Sequence, residues 1–348
     1  MSSELKAQKK QLPEQPPPSP ISSLPEEIFI DIIARVPRIH HQTLSQVSRR
    51  LRSLISSPEL YARRSILKRA EQCIYVAVSK DNTSYIHWFT LCNMKRVSGT
   101  DDHRLVHISS LPPMPLHGSY VSFGSNIFAM SGFHVSLIDC RSHTAQPLAD
   151  MPNAVAGAVA QVINGKVYVI GGARDMMVFD IKTKVWEVKT RQDWEKGKKW
   201  LTSVAFGGKI FMRTCYDSFV YDPRGDSLER DEVLHSREWF SSCVVEDVLY
   251  YYDACGKCLR GYDPKVRSWG VVRGLERLLP EGCLRAKTVS YGCGGRMVLF
   301  LQREESIWCA EIVVERRQGG EIWGDVVWCE VVLGGNFHIM DCVPAVLL

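Results

Sequence analysis

The chain has 348 residues, 45% of them hydrophobic and 23% charged, with a formal net charge of +5. This is globular composition with ample apolar material for a core, and the mild charge makes no case for nucleic-acid binding. No apolar run reaches the roughly 18 residues of a membrane span, and the polar start "MSSELKAQKKQLPEQPPPSP" has no signal-peptide core, so a cytoplasmic and/or nuclear location is expected.

Residues 1–20 read as a disordered, proline-rich tail. Residues 21–70 then carry three short amphipathic helices. The first lies in "SSLPEEIFIDIIARVP", with Ser23 as N-cap, Pro25 just inside the helix, Glu26 and Glu27 in its first turn and Pro37 as its stop. Its apolar stripe is Ile28, Ile32 and Val36, widened by Phe29 and Ile33. The second spans "QTLSQVSRRLRSLIS", with Leu44, Val47, Leu51, Leu54 and Ile55 on one side. The third starts at Ser57-Pro58 and runs through "ELYARRSILKRA". Fifty residues make a small core, so part of this apolar surface is expected to meet a partner. His40-His41, in the connection, reads as surface.

From residue 73 to 348 short apolar runs alternate with turn signals, which points to an all-β domain. The stretch "VINGKVYV" recurs as "SFGSNIFA", "AFGGKIFM", "VVEDVLYY" and "GCGGRMVL". Its two-residue turns start at 124, 164, 207, 246 and 294, and Asn-Gly and Gly-Gly suit tight hairpins. A second marker, Asp139, Asp180, Asp222 and Asp263, repeats at spacings of 41, 42 and 41. A period near 40 in β-rich sequence means a propeller with one four-stranded blade per repeat. Complete repeats fall at about 118–153, 154–199, 200–238, 239–287 and 288–335. The segment 73–110 lacks a first strand. Val343–Leu348 is predicted to supply it and close a six-bladed ring, because an open ring leaves two unpaired edges. The twelve cysteines read mostly as reduced, small apolar residues in strands, and Cys255 and Cys258 as a plain hairpin tip rather than a metal or redox site.

Two family resemblances follow from these residues. In "GGARDMMVFDIKTKVW", Gly171-Gly172, Phe179 and Trp186 are separated by six residues each, which resembles a kelch repeat. "YDPKVRSW" keeps Tyr262 and Trp269, whereas "YDPRGDSL" has Leu228 in place of Trp, and Arg213-Thr214 stands where a double glycine is expected. The N-terminal "LPEEIFIDIIARVP" followed by "LSQVSRRLRSLI" resembles an F-box, with Leu51 where that family often has Trp.

The F-box resemblance implies a substrate receptor of Skp–cullin–F-box ubiquitin ligases. The F-box would bind a Skp-type adaptor, and through it cullin, by Leu24, Pro25, Ile28, Ile32, Leu44, Val47 and Leu54. A basic excess over Arg35–Gln72 would suit an acidic adaptor. The propeller would hold an unidentified target protein on the face bearing the loops after each second strand and between blades. Residues expected there are His134, Arg174, Asp175, Trp194, Trp200, Tyr216, Asp217, Arg237, Trp239, Lys257 and Arg303. The resemblance implies no catalytic residue, cofactor or metal, and no metalloprotease, P-loop or serine-hydrolase motif occurs. A kelch scaffold acting outside any ligase is the alternative.

Overall fold

The computed structural model describes residues 24–69, 71–95, 101–155, 157–171, 175–190, 199–276, 283, 285–292, 294–317 and 319–347. The chain divides into two units, Met1–Arg69 and Ala70–Leu348. The proline-rich tail, Ser23, Gly172, Arg174 and Trp194 lie outside the described residues.

In the first unit, α1 (Glu26–Arg35) starts one residue later than the sequence suggests. Pro25 occupies the cap position, and its carbonyl accepts from Phe29 N at 3.0 Å. Glu26 and Glu27 complement the N-terminal end of the helix dipole. Pro37 forces Val36 into extended backbone (ψ 129°) and ends the helix. A 3-10 turn (Arg38–His40) leads into α2 (His41–Val47).

The expected single second helix is in fact two. Ser48 is extended (φ −155°, ψ 157°), and its hydroxyl accepts from Leu51 N at 3.1 Å, so it caps a new helix, α3 (Arg49–Ile55). A serine side chain offers the backbone this alternative to continued helix. In α4 (Pro58–Ile66), Ser57 caps Leu60 N at 3.3 Å and Pro58 is the first helical residue, as the sequence indicates.

Phe29, Ile33, Ala34, Leu51, Ile55 and Leu60 form the core of this unit. The buried stripe of α1 is therefore rotated one residue from the Ile28–Ile32 row. Arg64 is also buried, and its Nη1 donates to the carbonyls of Ala34 (3.1 Å) and Val36 (2.7 Å), satisfying orphan acceptors at the end of α1. His41, read from the sequence as surface, is buried instead, with Nε2 3.2 Å from the Val36 carbonyl. Burial, and then the nearby Arg64 charge, lowers its pKa to about 4.

The second unit is a propeller of six antiparallel sheets. Blade 1 contains β1 (Glu71–Lys80), β2 (Tyr85–Lys95) and β3 (Asp101–His107), with β4 (Met114–Pro115) against β2. Blade 2 is β5 (Ser119–Phe123), β6 (Asn126–Ser131), β7 (His134–Asp139) and β8 (Thr144–Pro147). Blade 3 is β9 (Val159–Ile163), β10 (Lys166–Ile170), β11 (Asp175–Asp180) and β12 (Val185–Thr190). Blade 4 is β13 (Trp200–Phe206), β14 (Lys209–Thr214), β15 (Ser218–Asp222) and β16 (Ser227–Arg230), followed by the short α5 (Glu232–His235). Blade 5 is β17 (Cys243–Val245), β18 (Val248–Asp253), β19 (Cys258–Asp263) and β20 (Ser268–Val271). Blade 6 is β21 (Arg285–Ser290), β22 (Arg296–Arg303), β23 (Ser306–Arg316) and β24 (Ile322–Gly334). Finally β25 (Phe337–Leu347) pairs with β1 and becomes the inner strand of blade 1. The closing strand is thus longer than the predicted Val343–Leu348.

The repeat markers have physical causes. Asn164-Gly165, Gly207-Gly208 and Glu246-Asp247 all have positive φ, the sign pattern of a type I′ hairpin turn. At Gly124-Ser125 only Gly124 is positive, as in type II′. Gly294-Gly295 departs from the expected two-residue turn. Pairing there stops at Ser290–Met297, and a wider loop is closed by Tyr291 N to Arg296 O at 3.0 Å. Gly295 lies so close to β23 that a Cβ would meet the Val314 carbonyl at 2.3 Å.

The periodic aspartates each end the third strand of a blade. Asp139, Asp180, Asp222 and Asp263 accept from the backbone N–H two residues on, in Arg141, Lys182, Arg224 and Lys265, at 2.8–3.0 Å. Each thus nucleates the turn to the outer strand. Backbone N–H donors hold the carboxyls of Asp180 and Asp222 below the usual range, from Thr183 and Arg224 respectively.

The kelch aromatics pair across the outer two strands, Phe179 with Trp186 and Tyr262 with Trp269, at ring separations of 4.9 and 5.0 Å. Both indoles also reach residues before their own blade. Trp186 donates to the Ala149 carbonyl at 3.0 Å and Trp269 to the Val233 carbonyl at 2.9 Å. Around the axis, side chains on inner strands join neighbouring blades: Ser119 to Ala158 O, Gln161 to Ser203 O and Thr288 to Ser241 O, at 2.6, 2.8 and 2.8 Å.

Candidate functional site

Each unit presents a face of its own. In the helical unit, the seven sequence-selected residues divide into two sets. Leu24, Leu44 and Leu54 are partly buried and pack on the core. Pro25 is exposed, and Ile28, Ile32 and Val47 are 50%, 46% and 69% exposed. Ile28 and Ile32 stand one turn apart on α1, and Val47 ends α2. The core closes without these three residues, so they are surplus apolar surface. Charge lies around them: Arg35, Arg49, Arg50 and Arg52 are exposed, and Arg50 sits 4.2 Å over the Phe29 ring. Arg63 pairs with Asp31 across α1 and α4 (2.8 Å between Nη2 and Oδ2).

In the propeller, strand topology puts the loops after second strands, and the connections between blades, on one face. His134 and Asp175 begin third strands, Tyr216, Asp217 and Lys257 lie in second-to-third-strand loops, Arg303 ends β22, and Arg237 lies between blades 4 and 5. Several of these have local partners. His134 lies 3.2 Å from Asp150, and Asp175 accepts from Asn153 and Thr190 at 2.8 and 2.9 Å. Asp217 pairs with Arg230 at 2.8 Å, and Arg303 lies 5.8 Å from the centre of the Trp308 ring. Lys257 is exposed at a loop tip, with φ +48°. Trp200 and Trp239 are corrections. Both are buried in the core, and Trp239 donates to Ser218 Oγ at 3.2 Å, because indoles of this size fill the gaps between blades.

At blades 4 and 5 the loop carrying Tyr216 and Asp217 follows, and the segment carrying Arg237 covers, a residue not selected from the sequence. Arg213, at the end of β14, is only 4% exposed. Its Nη1 donates to the carbonyls of His235 (3.2 Å) and Arg237 (2.7 Å) and to His235 Nδ1 (3.1 Å). Its signal was the departure at Arg213-Thr214 from the kelch double glycine, where blade 3 has Gly171 packed tightly on Ala158.

On the axis, the inner strands line a channel of about 480 Å³ that is rich in hydroxyls and holds Lys287 and Asp341. Burial raises the Asp341 carboxyl pKa, partly opposed by the Lys287 charge. Cys255 is exposed and Cys258 half-buried at the tip of the β18–β19 hairpin. Among the described residues no group of three or more His, Cys, Asp or Glu side chains could hold a metal ion, and no helix is long and apolar enough to cross a membrane.

Comparison with known proteins agrees with both units. Residues 21–63 match the F-box domain model, and residues 88–333 match the FKB95 kelch-repeats domain model. An F-box/kelch-repeat protein of Arabidopsis thaliana is 61% identical over 99% of this chain and 98% of its own length. A putative F-box/kelch-repeat protein of the same plant is 38% identical over 96% of this chain and 98% of its own. A further Arabidopsis F-box/kelch-repeat protein is 35% identical over 94% and 93%.

Proposed function

Because the chain belongs to the F-box/kelch-repeat family, we propose that it is the substrate-recognition subunit of a Skp–cullin–F-box ubiquitin ligase. In this reading the helical unit docks on a Skp-type adaptor and the propeller holds the target. Ubiquitin transfer takes place on other subunits, and this chain contributes binding rather than catalysis.

The observation that carries the reading is the exposed set Ile28, Ile32 and Val47 beside a core that is complete without it. Burying such side chains is worth about 1.5–3 kcal/mol each before the costs of association. The exposed arginines around them suit an acidic partner and would speed its encounter.

The test is co-purification of the full chain with a Skp-type adaptor, comparing wild type with Ile32→Asp and Val47→Asp. Because both side chains are exposed, the variants keep their melting temperature. Wild type retains the adaptor and the variants lose it. A folded wild-type chain that fails to bind the adaptor turns the reading toward a kelch scaffold outside a ligase.

A further inference from the structure

The axial channel carries one charge of each sign. It is lined by the inner strand of every blade, holds about 480 Å³ and is open to solvent. A cavity of that volume is of small-molecule size. Among the described residues that line it, Lys287 is the one cation and Asp341 the one carboxylate.

The two are neighbours without being partners. Lys287 lies on β21 and Asp341 on β25, the inner strands of the adjacent blades 6 and 1, close enough for the Lys287 charge to act on the carboxyl. No ion pair joins them, and among the described residues no hydrogen bond or ion pair engages Lys287 Nζ. Asp341 Oδ1 accepts from Cys342 N at 2.8 Å, and Oδ2 has no such partner. Both residues are partly exposed. Neither Lys287 Nζ nor Asp341 Oδ2 is among the buried polar atoms that lack a partner, so both atoms reach solvent in the channel.

The fold sets both groups in place. Thr288, next to Lys287, binds the Ser241 carbonyl through its N–H (3.0 Å) and its hydroxyl (2.8 Å), which ties β21 to blade 5. Beside Asp341, Met340 is left over where the register passes from Asp341–Ala77 to Ile339–Val78. Such bulges re-aim neighbouring side chains and concentrate next to active sites. The hydroxyls of Ser122, Ser241 and Ser290 line the same wall with no hydrogen-bond partner among the described residues, so neutral donors and acceptors surround the two charges.

The charge balance selects the ligand. An anion gains Lys287 and is repelled by Asp341, and a cation does the reverse, between walls that screen charge less than bulk water. A molecule carrying both charges satisfies both groups, and its net charge matches that of the channel.

We propose that the axial channel binds a small zwitterion, a free amino acid whose carboxylate rests on Lys287 Nζ and whose ammonium rests on Asp341 Oδ2. This goes beyond the receptor reading and does not rest on it.

The test is a saturation-transfer NMR titration of the full chain. The probes are glycine, β-alanine and γ-aminobutyrate, whose charges stand one, two and three carbons apart. Acetate and methylammonium supply one charge each as controls. At least one amino acid binds wild type saturably and about tenfold or more tightly than either control, since a control lacks one charge-assisted hydrogen bond. In Asp341→Asn the advantage over acetate disappears, and in Lys287→Gln the advantage over methylammonium disappears.

No saturable binding of any of the three amino acids up to about 10 mM overturns the proposal. Equal binding of acetate or methylammonium by wild type overturns it in favour of a site for one charge. An amino acid that binds both folded variants as tightly as wild type lies elsewhere, which overturns the channel assignment. The ranking of probes is read on wild-type protein, so it does not depend on how well either variant folds.

Discussion

Cys73, three residues into the first propeller strand, faces Ala345, three residues from the C-terminus, as an antiparallel pair. The two ends of the domain are therefore hydrogen-bonded neighbours in one sheet, and the ring is closed by β-pairing that runs from Glu71–Leu347 to Lys80–Phe337.

This closure makes the C-terminus a stability determinant. Leu347 is fully buried although it is the penultimate residue. Leu347→Ala is expected to cost about 2–4 kcal/mol in urea unfolding, the range for a buried leucine. Removing residues 337–348 strips β1 of its partner and leaves an open edge, so the truncated chain is expected to lose cooperative unfolding and to aggregate.

His41 gives the helical unit a pH dependence. Its folded pKa of about 4 lies below the unfolded value of 6.5, so the unfolded chain takes up the proton first. The neutral, buried ring contributes its full share above pH 6.5, and that share falls as pH drops from 6.5 toward 4. The total is about 3 kcal/mol by linkage. Unfolding followed between pH 7 and 4 is expected to show this loss, and His41→Leu to flatten it. An unchanged slope in the variant counts against the assignment.

Two glycines with the same backbone sign differ in consequence. At Gly165 (φ +72°) a Cβ meets nothing within 4 Å, so Gly165→Ala should cost only the left-handed strain, about 1–2 kcal/mol. Gly295 has the same φ, but its Cβ would collide with the Val314 carbonyl. Gly295→Ala is therefore expected to be clearly the more damaging in matched thermal melts.

The junction of blades 4 and 5 is held by polar bonds that one-atom changes can probe. Tyr262 is buried and donates to Asp231 Oδ2 at 2.9 Å, while Asp231 Oδ1 accepts from Leu234 N at 2.9 Å and caps α5. Tyr262→Phe should cost about 1.5–3 kcal/mol, the value of a hydrogen bond to a charged group. A cost well below that range in chemical denaturation would mean that Asp231 finds compensation elsewhere, as from Arg267, which pairs with it at 3.2 Å.

The sequence alone determined what depends on local repetition. Turns of the Asn164-Gly165 kind and the aspartates ending third strands recur because successive blades solve the same backbone problem, and their period gave five complete blades. The closing strand was legible because an open ring has unpaired edges. The helix stop at Pro37 and the cap at Ser57 were legible because they act on their own neighbours. The tertiary structure decided what depends on partners distant in the chain. On α1 two adjacent apolar stripes are nearly equal by periodicity, and the approach of Leu51, Ile55 and Leu60 selects Phe29 and Ile33 for burial and leaves Ile28 and Ile32 outside. Trp200 and Trp239 have the composition of surface anchors, but the gaps between blades take them into the core. Arg213 is a broken glycine motif in the sequence, and only the segment after α5 folding over it buries it and holds its Nη1 on two backbone carbonyls.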